Sequence, residues 1–282
     1  MASVLRTSER SPWWRDVDPV RSVLLLYRQR HLIGQLVRRE VIGRYRGSLL
    51  GTLWMVLLPI MSVLVYTVVF GLILKQRWPG LESNEWTYPL VIWAGLALFN
   101  AFAEVVQRAT SVIAAQPNLV KKVVFPLDVL PVMLVGTSLV PLVVSMLAVT
   151  VGIIFCRGAI PNLLVMVMTV GFFLIWLQGI AWFLAGVGTF LRDLGPMVQA
   201  ICPLMLFVTP IFYPISMVPE PYRLWFWANP LAVMVETMRA ALLHSAMPPM
   251  WAMAGCAVVC LFTWQLGSLV FARLRSEMAD VV

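Results

Sequence analysis

The strongest constraint on this fold is a group of arginines placed directly before a long stretch without charge. That stretch, residues 49–74, exceeds the ~20 apolar residues that a helix needs to cross a bilayer. Basic residues collect on the cytoplasmic side of such crossings. The sequence therefore predicts a first crossing that starts inside the cell, anchored by a basic interface segment. The anchoring residues are Arg38, Arg39, Arg44 and Arg46.

Composition assigns the whole chain to the membrane class. Of 282 residues, 61% are hydrophobic and only 12% are charged, about half the charged fraction of a soluble domain. The long apolar runs predict an all-α integral membrane protein, because a spanning helix bonds all of its own backbone groups. The net charge of +8 does not indicate nucleic acid. Ten of the 21 basic residues precede Ser48, where membrane lipids are the expected partner.

Six transmembrane helices account for the apolar runs. The fifth is short and is expected to be broken by Pro203 and Pro210. With both termini in the cytoplasm, 16 basic residues lie inside and 5 lie outside, which agrees with the usual bias of membrane proteins. The predicted crossings cover residues 49–74, 90–113, 132–155, 163–190, 196–213 and 251–271, within a transmembrane domain of residues 49–282.

Residues 1–48 are predicted to form a cytoplasmic tail and an amphipathic interface helix. On a helix over residues 21–37, most of the leucines share one side with Val37, and Arg21 and Arg28 lie largely opposite. A basic amphipathic helix beside a crossing commonly lies flat in the membrane interface. The alternative is a cytoplasmic helix packed on a partner protein.

Two opposite charges fall inside the second predicted crossing. Glu104 and Arg108 are four residues apart, so they share one helix face and can pair. A carboxylate at membrane depth is a functional candidate by default. The favoured interpretation is a structural ion pair near the inner boundary. The crossings hold no other carboxylate, so the sequence does not indicate a proton- or sodium-coupled carrier.

The sequence gives no sign of catalysis. None of its three lysines follows a glycine, so a phosphate-binding loop of the form GxxxxGK[ST] is absent. The two histidines lie in unrelated segments and form no metal-ligand pattern. Cys256 and Cys260 are one helical turn apart without a nearby His or carboxylate, so free thiols are expected. The chain is therefore predicted to be neither an enzyme nor a cofactor-binding protein.

The segment RYRGSLLGTLWMVLLP, residues 44–59, resembles the start of the membrane subunits of type 2 ABC exporters. The closest branch moves polysaccharides such as O antigen, capsule or teichoic acid, and weaker similarity extends along nearly the whole chain. The resemblance implies a homodimer in a bacterial inner membrane, paired with two copies of an ATPase subunit that binds ATP and magnesium. The implied cargo is a lipid-linked polysaccharide. The matching positions are Arg44, Tyr45, Ser48, Leu50, Gly51, Trp54 and Pro59.

A short segment between the second and third crossings, residues 117–128, is a candidate docking helix. It is too short and too charged to span, yet it is more apolar than an idle loop should be. The plainer interpretation is a loop whose lysines follow the bias of basic residues toward the inside. In the family that the chain resembles, the coupling helix lies here and enters a cleft on the ATPase. The predicted coupling residues are Leu119, Val120, Lys121, Lys122, Val123, Val124, Phe125, Arg192 and Asp193.

The outer region at residues 214–250 is unusually apolar for an exposed loop. Asn229 followed by Pro230 is a favourable helix start, a cap and then a proline in the first turn. The helix that follows is too short to cross. Two short pieces that turn back into the outer leaflet fit best, and NPLAVMVETMR resembles the re-entrant motif that precedes the last crossing in the family.

Aromatic residues on the first and fifth crossings are the remaining clue, because those crossings line the transport path in the family. Sugar rings stack on aromatic faces through their C–H surfaces, and weak repeated contacts allow a polymer to slide. The alternative is that these residues are ordinary packing and lipid-belt aromatics. The predicted path residues are Trp54, Tyr66, Phe70, Phe207, Phe212 and Tyr213.

The predicted function is that of a transmembrane subunit of an ATP-driven exporter for lipid-linked polysaccharide. Two alternatives remain open at this point: an exporter subunit for a drug or small lipid, and a membrane scaffold that transports nothing. A neighbouring ATPase gene would favour either exporter, and adjacent glycosyltransferase genes would favour polysaccharide over drug.

Overall fold

A computed structural model describes residues 24, 26–73, 87–117 and 125–278, and within them the chain is helical without strands. This confirms the predicted all-α class. Elements are numbered in chain order over the described residues. The α-helices are α1 (Arg30–Arg44), α2 (Trp54–Tyr66), α3 (Thr87–Ala109), α4 (Val129–Arg157), α5 (Leu163–Phe190), α6 (Leu194–Val208), α7 (Glu220–Trp227), α8 (Pro230–Leu243) and α9 (Met250–Leu274).

Four helices in the described part of the chain are long and apolar enough to cross a membrane: α3, α4, α5 and α9. They correspond to the second, third, fourth and sixth predicted crossings, and the bounds of α5 coincide with those predicted. The α2 and α6 helices are shorter, with 13 and 15 residues. At ~1.5 Å per residue, each falls short of a hydrocarbon core of ~30 Å. The count of six crossings therefore stays a prediction.

Side-chain caps explain where several helices begin. Asn162 accepts a hydrogen bond from the backbone N–H of Val165 at the start of α5 (3.2 Å). Asn229 accepts one from Leu231 at the start of α8 (3.0 Å), and Pro230 occupies the first turn. The predicted start of this helix is therefore confirmed. These caps satisfy N–H groups that have no partner inside the helix.

The first predicted crossing is less regular than a single helix. A 3-10 turn at Gly51–Leu53 leads into α2, and a π-helical segment at Thr67–Ile73 follows it. The hydroxyl of Thr67, at the junction, donates to the carbonyl of Val63 (2.8 Å). Wider π turns are rare and usually short, and they often occur at functional positions.

The prediction that Pro203 breaks the fifth crossing is wrong. Pro203 lies inside α6, which continues to Val208, and only Pro210 lies beyond the helix end. A proline removes one backbone N–H and frees the carbonyl four residues earlier, which is a local cost. Cys202, next to it, is buried. Pro203 itself is exposed on α6, and the helix continues past it without a break.

The tightest helix contact joins α5 and α9, which cross at two glycines. A Cβ atom added to Gly267 would lie 2.0 Å from the carbonyl oxygen of Gly179. One added to Gly179 would lie 2.5 Å from the Thr263 carbonyl group. Small residues let membrane helices approach until their backbones touch. Glycine is therefore required at both positions for this crossing.

The region predicted to be re-entrant contains two short helices of different character. No residue of α7 is buried, and Trp225 is 77% exposed. In contrast, 12 of the 14 residues of α8 are buried, and the helix packs against α5, α3 and α9. An apolar helix that is surrounded by spanning helices agrees with the predicted short outer elements. Their depth in the bilayer stays a prediction.

Candidate transport groove and its flanking ion pairs

An ion-pair cluster, formed by Glu40 and Arg44 of α1 with Glu104 and Arg108 of α3, joins the first helix to the second predicted crossing. Arg108 lies 3.2 Å from Glu104, which confirms the predicted pair. Arg108 also pairs with Glu40, and Arg44 pairs with Glu104. Two positive and two negative side chains therefore alternate along the cluster, which is neutral overall.

Charged neighbours in this cluster raise the pKa of Arg44. Partial burial lowers the pKa of the Arg44 guanidinium, but its hydrogen bond to Glu104 and the charge of that carboxylate outweigh burial, so the pKa lies above its ordinary value. The four side chains are between 22% and 36% exposed. Each is thus partly withdrawn from water and compensated by an opposite charge.

Apolar packing holds α1 from its other side. Leu36 is buried. Val37 lies so close to Gly136 of α4 that a Cβ atom added to Gly136 would be 2.7 Å from a methyl carbon of Val37. The described part of the predicted apolar face thus contacts the protein. Whether α1 also lies flat in the membrane interface stays a prediction. The predicted anchor residues Arg38, Arg39 and Arg46 are exposed, whereas Arg44 belongs to the ion-pair cluster.

A groove of about 370 Å³ opens between α2, α3 and α4, directly beside the ion-pair cluster. Its walls combine tryptophans, small apolar residues and uncharged polar side chains, and the cluster residues Arg44 and Glu104 lie at one end. The residues that line it are Arg44, Tyr45, Trp54, Met55, Leu58, Pro59, Ser62, Trp93, Ala97, Asn100, Ala101, Glu104, Ser138, Pro141, Leu142 and Ser145.

An aromatic cluster (Tyr66, Phe70, Tyr88, Trp93 and Phe212) continues from the groove. Tyr66 is stacked on Phe70 with ring centroids 5.9 Å apart, and it lies 5.9 Å from Trp93, a groove residue. Phe70 also contacts Tyr88 and Phe212, at 6.0 and 6.1 Å. The hydroxyl of Tyr88 donates to the carbonyl of Phe212 (3.0 Å). The cluster thus connects α2 and the π segment to the turn after α6.

The structure brings together only some of the predicted path residues. Tyr66, Phe70 and Phe212 belong to the aromatic cluster, and Trp54 lines the groove. Tyr213 contacts Phe226 instead, at 6.2 Å, and its hydroxyl donates to the carbonyl of Phe207. The Phe207 side chain is 70% exposed on α6. The role of all six in transport stays a prediction.

A separate and more deeply buried ion pair fixes the turn that carries Phe212. Arg239 of α8 is 3% exposed and lies 2.7 Å from Glu236. The Arg239 guanidinium donates to the carbonyls of Pro210 (2.9 Å) and Ile211 (3.2 Å), and Glu236 accepts from the N–H of Ile215 (2.8 Å). The pair thus ties α8 to both sides of the turn.

The coupling prediction is only partly covered, since Leu119 to Val124 lie outside the described residues. Phe125 is partly buried against the core, and Arg192 and Asp193 are exposed in the turn between α5 and α6. Asp128, where this segment meets α4, pairs with Arg275 beyond α9 (2.7 Å). The end of the candidate coupling segment is therefore held against the end of the last helix.

Sequence reasoning missed several residues of these sites. Glu40 is an acidic residue inside a basic block, which could have marked it as a partner for arginine. Asn100 is a polar residue in an apolar run, a signal of the same kind. The carbonyl partners of Arg239 and the arginine partner of Asp128 leave no such trace. These contacts join residues that are distant in sequence.

Metal-ligating side chains do not gather at the groove. Within the described ranges, no group of three or more His, Cys, Asp or Glu side chains is placed to hold a metal ion. All four cysteines are free, and the sulfur atoms of Cys256 and Cys260 lie 4.0 Å apart. The expectation of free thiols is confirmed, whereas the expected absence of a cofactor stays a prediction.

Comparison with known proteins gives a consistent match. The model of the family described as ABC-2 type transporter matches residues 31–243. An O-antigen export system permease protein RfbA of Myxococcus xanthus is 30% identical over 269 residues, which cover 93% of this chain and 100% of the relative. The polysialic acid transport protein KpsM of Escherichia coli is 27% identical over 253 residues, 88% of this chain and 95% of the relative. An RfbA permease of Klebsiella pneumoniae is 26% identical over 77% of this chain and 82% of its own length. The chain therefore belongs to the membrane proteins of the ABC-2 type transporter family.

Proposed function

We propose that this chain is the membrane subunit of an exporter that moves a lipid-linked polysaccharide across the bacterial inner membrane. The observation that carries the proposal is the similarity to the Myxococcus xanthus O-antigen export permease, which extends over the whole of that relative. A second relative is named for polysialic acid transport, another polysaccharide. Relatives with these names favour a polymer over a drug or small lipid, and favour transport over a scaffold role.

Energy for transport is proposed to come from a separate ATPase subunit. The sequence lacks a phosphate-binding loop of the GxxxxGK[ST] form, so ATP and magnesium would be bound by that partner. Two copies of this chain and two of the ATPase would complete the exporter. The many apolar residues exposed on α2 and α6 support a further partner or lipid contact along these helices.

The aromatic cluster suits a path for sugar rings. Its members lie 5.9 to 6.1 Å apart and link α2 to the turn after α6. Aromatic contacts contribute on the order of 1 kcal/mol each, which is weak enough for a polymer to move from one to the next. A drug would meet such a contact once, whereas a polymer would meet it many times.

A gene deletion tests this function. We expect the deletion strain to lose its surface polysaccharide and to retain the polymer inside the cell, both measured by periodate-sensitive staining of fractionated cells. Return of the parental gene should restore export. A variant with Tyr66→Ala and Phe212→Ala should restore it about tenfold less well, since a loss of 1.4 kcal/mol corresponds to tenfold.

The matched control is Phe262→Ala, which removes an aromatic ring that is 65% exposed on α9. This variant should restore export fully at equal membrane abundance. Normal surface polysaccharide in the deletion strain would exclude the proposed function. Full export by the paired variant would leave the aromatic cluster with a packing role only.

Topology and coupling are proposed together: both termini and residue 121 face the cytoplasm, and residues 117–128 dock on the ATPase. Support comes from the 16 basic residues that this arrangement places inside, against 5 outside. The exposed turn at Arg192 and Asp193 offers a second contact on the same side. The end of the docking segment would be fixed by the pair between Asp128 and Arg275.

Single cysteines test this arrangement in a chain whose four native cysteines are replaced by alanine. In inverted membrane vesicles, an impermeant thiol reagent should modify Lys121→Cys when the ATPase is absent and should modify it several-fold less when the ATPase is bound. Ser276→Cys, which is exposed, should be modified equally in both cases. Glu82→Cys should react only in right-side-out cells. Reaction of Lys121→Cys from outside contradicts the topology, and equal reaction with and without the ATPase contradicts docking.

A further inference from the structure

The groove between α2, α3 and α4 is built from one face of each helix. On α3, its wall residues follow the spacing of neighbouring turns: Trp93, Ala97, Asn100 and Glu104. Ser62 of α2 and Ser145 of α4 are among the residues that complete the opposing walls. The groove is therefore a channel-like feature that runs along the helices, from the ion-pair cluster to the aromatic cluster.

Polar side chains in this groove have unused hydrogen-bonding capacity. Asn100 is exposed to the groove, although residues 87–99 of the same helix are all buried. Ser145 is only 4% exposed. In the described part of the chain, the buried indole N–H of Trp93, another groove residue, has no hydrogen-bond partner. Lipid tails offer no acceptor, so the polar positions of this groove suit water or a ligand that carries donors and acceptors.

Two tryptophans, Trp54 and the largely buried Trp93, contribute to the walls of the groove. Trp54 is held in place because its indole N–H donates to the hydroxyl of Ser48 (2.7 Å). Trp93 lines the groove and also contacts Tyr66 of the aromatic cluster. Aromatic faces beside amide and hydroxyl groups suit a sugar ring, whose C–H face is apolar and whose rim bears hydroxyls.

Charge at the groove's inner end narrows the ligand class further. Arg44 pairs with Glu104, and Arg108 pairs with both Glu104 and Glu40, so each guanidinium already has a carboxylate partner. An anionic group such as a phosphate would have to displace these carboxylates. A neutral, hydroxyl-rich group could instead hydrogen-bond to the cluster without breaking it.

We propose that this groove binds neutral sugar units of the transported polymer within a single protomer, and that Trp93 passes them to the aromatic cluster. The proposal rests on the proposed export function and adds a binding site to it. The residues that contact the sugar are Trp54, Trp93, Asn100 and Ser145.

Photocrosslinking in cells that make their own polymer tests the site. A photoreactive benzophenone residue is placed at Met55 or Ala97, both in the groove wall, and at Phe262 on the exposed face of α9 as the control. After irradiation and purification under denaturing conditions, the groove positions should give a high-mass smear that periodate removes, because periodate cleaves vicinal diols. The control position should give none. Asn100→Leu should lower the yield of the smear by about 3- to 10-fold, as expected for one lost hydrogen bond.

Three alternative outcomes would overturn the groove assignment. A small mass shift that resists periodate would identify a lipid in the groove instead of a sugar. No adduct at Met55 and Ala97, in cells whose surface polymer depends on this gene, would place the sugar elsewhere and leave the export function intact. Surface polymer that does not depend on the gene would refute the export function itself.

Discussion

Gly267→Val should leave little folded protein in the membrane, because it inserts a side chain where two helix backbones touch. Even a single methyl group would lie 2.0 Å from the carbonyl oxygen of Gly179. Non-bonded heavy atoms need about 3.5 Å or more, so α5 and α9 would have to separate by roughly 1.5 Å. Overpacking of this kind typically costs about 1–3 kcal/mol, and more where the obstacle is backbone.

The same helix offers a matched control. Gly255 of α9 has open space around it, so Gly255→Ala should fold normally and gain about 0.5–1 kcal/mol of helix stability. Membrane abundance and monodispersity in mild detergent would compare the two variants. Normal abundance and monodispersity of Gly267→Val would show that α5 and α9 do not require this contact.

Arg239→Met should destabilise the packing between α8 and the turn after α6 nearly as strongly. The substitution keeps an unbranched apolar stem but removes the guanidinium, which leaves the largely buried Glu236 carboxylate without its cation. It also removes the donor to the carbonyls of Pro210 and Ile211. Loss of one partner from a buried ion pair costs about 3–5 kcal/mol.

Arg239→Lys should retain part of this stability, because it keeps the charge and can still reach one partner. The exposed Arg192→Met should change stability by no more than about 0.5 kcal/mol. Thermal unfolding in detergent and tryptophan fluorescence would report the differences. Equal unfolding temperatures for the parental chain and Arg239→Met would contradict a stabilising role for this pair.

Local interactions were predictable from the sequence. The bounds of α5, the cap at Asn229 and the pair between Glu104 and Arg108 all depend on residues within one or two helical turns, or on the length of an apolar run. Such features can be predicted from local sequence patterns alone.

Contacts between distant segments were not predictable in this way. Glu40 and Arg108 are 68 residues apart, and Arg239 reaches carbonyls 28 and 29 residues away. The match of Gly179 to Gly267 depends on how α5 and α9 cross, which no single-helix pattern specifies. Pro203 was misjudged because a proline inside a helix costs a hydrogen bond but does not necessarily end the helix.

The π-helical winding of residues Thr67–Ile73 determines the directions in which the side chains of this segment point. A π turn holds one more residue than an α turn, so a change to α geometry slips the hydrogen-bond register by one position. Each residue of an α-helix turns by about 100° about the axis. A slip of one position would therefore rotate Phe70, which lies inside the segment, away from Tyr66 and Phe212. The contacts of the aromatic cluster thus depend on how this short stretch of backbone is wound.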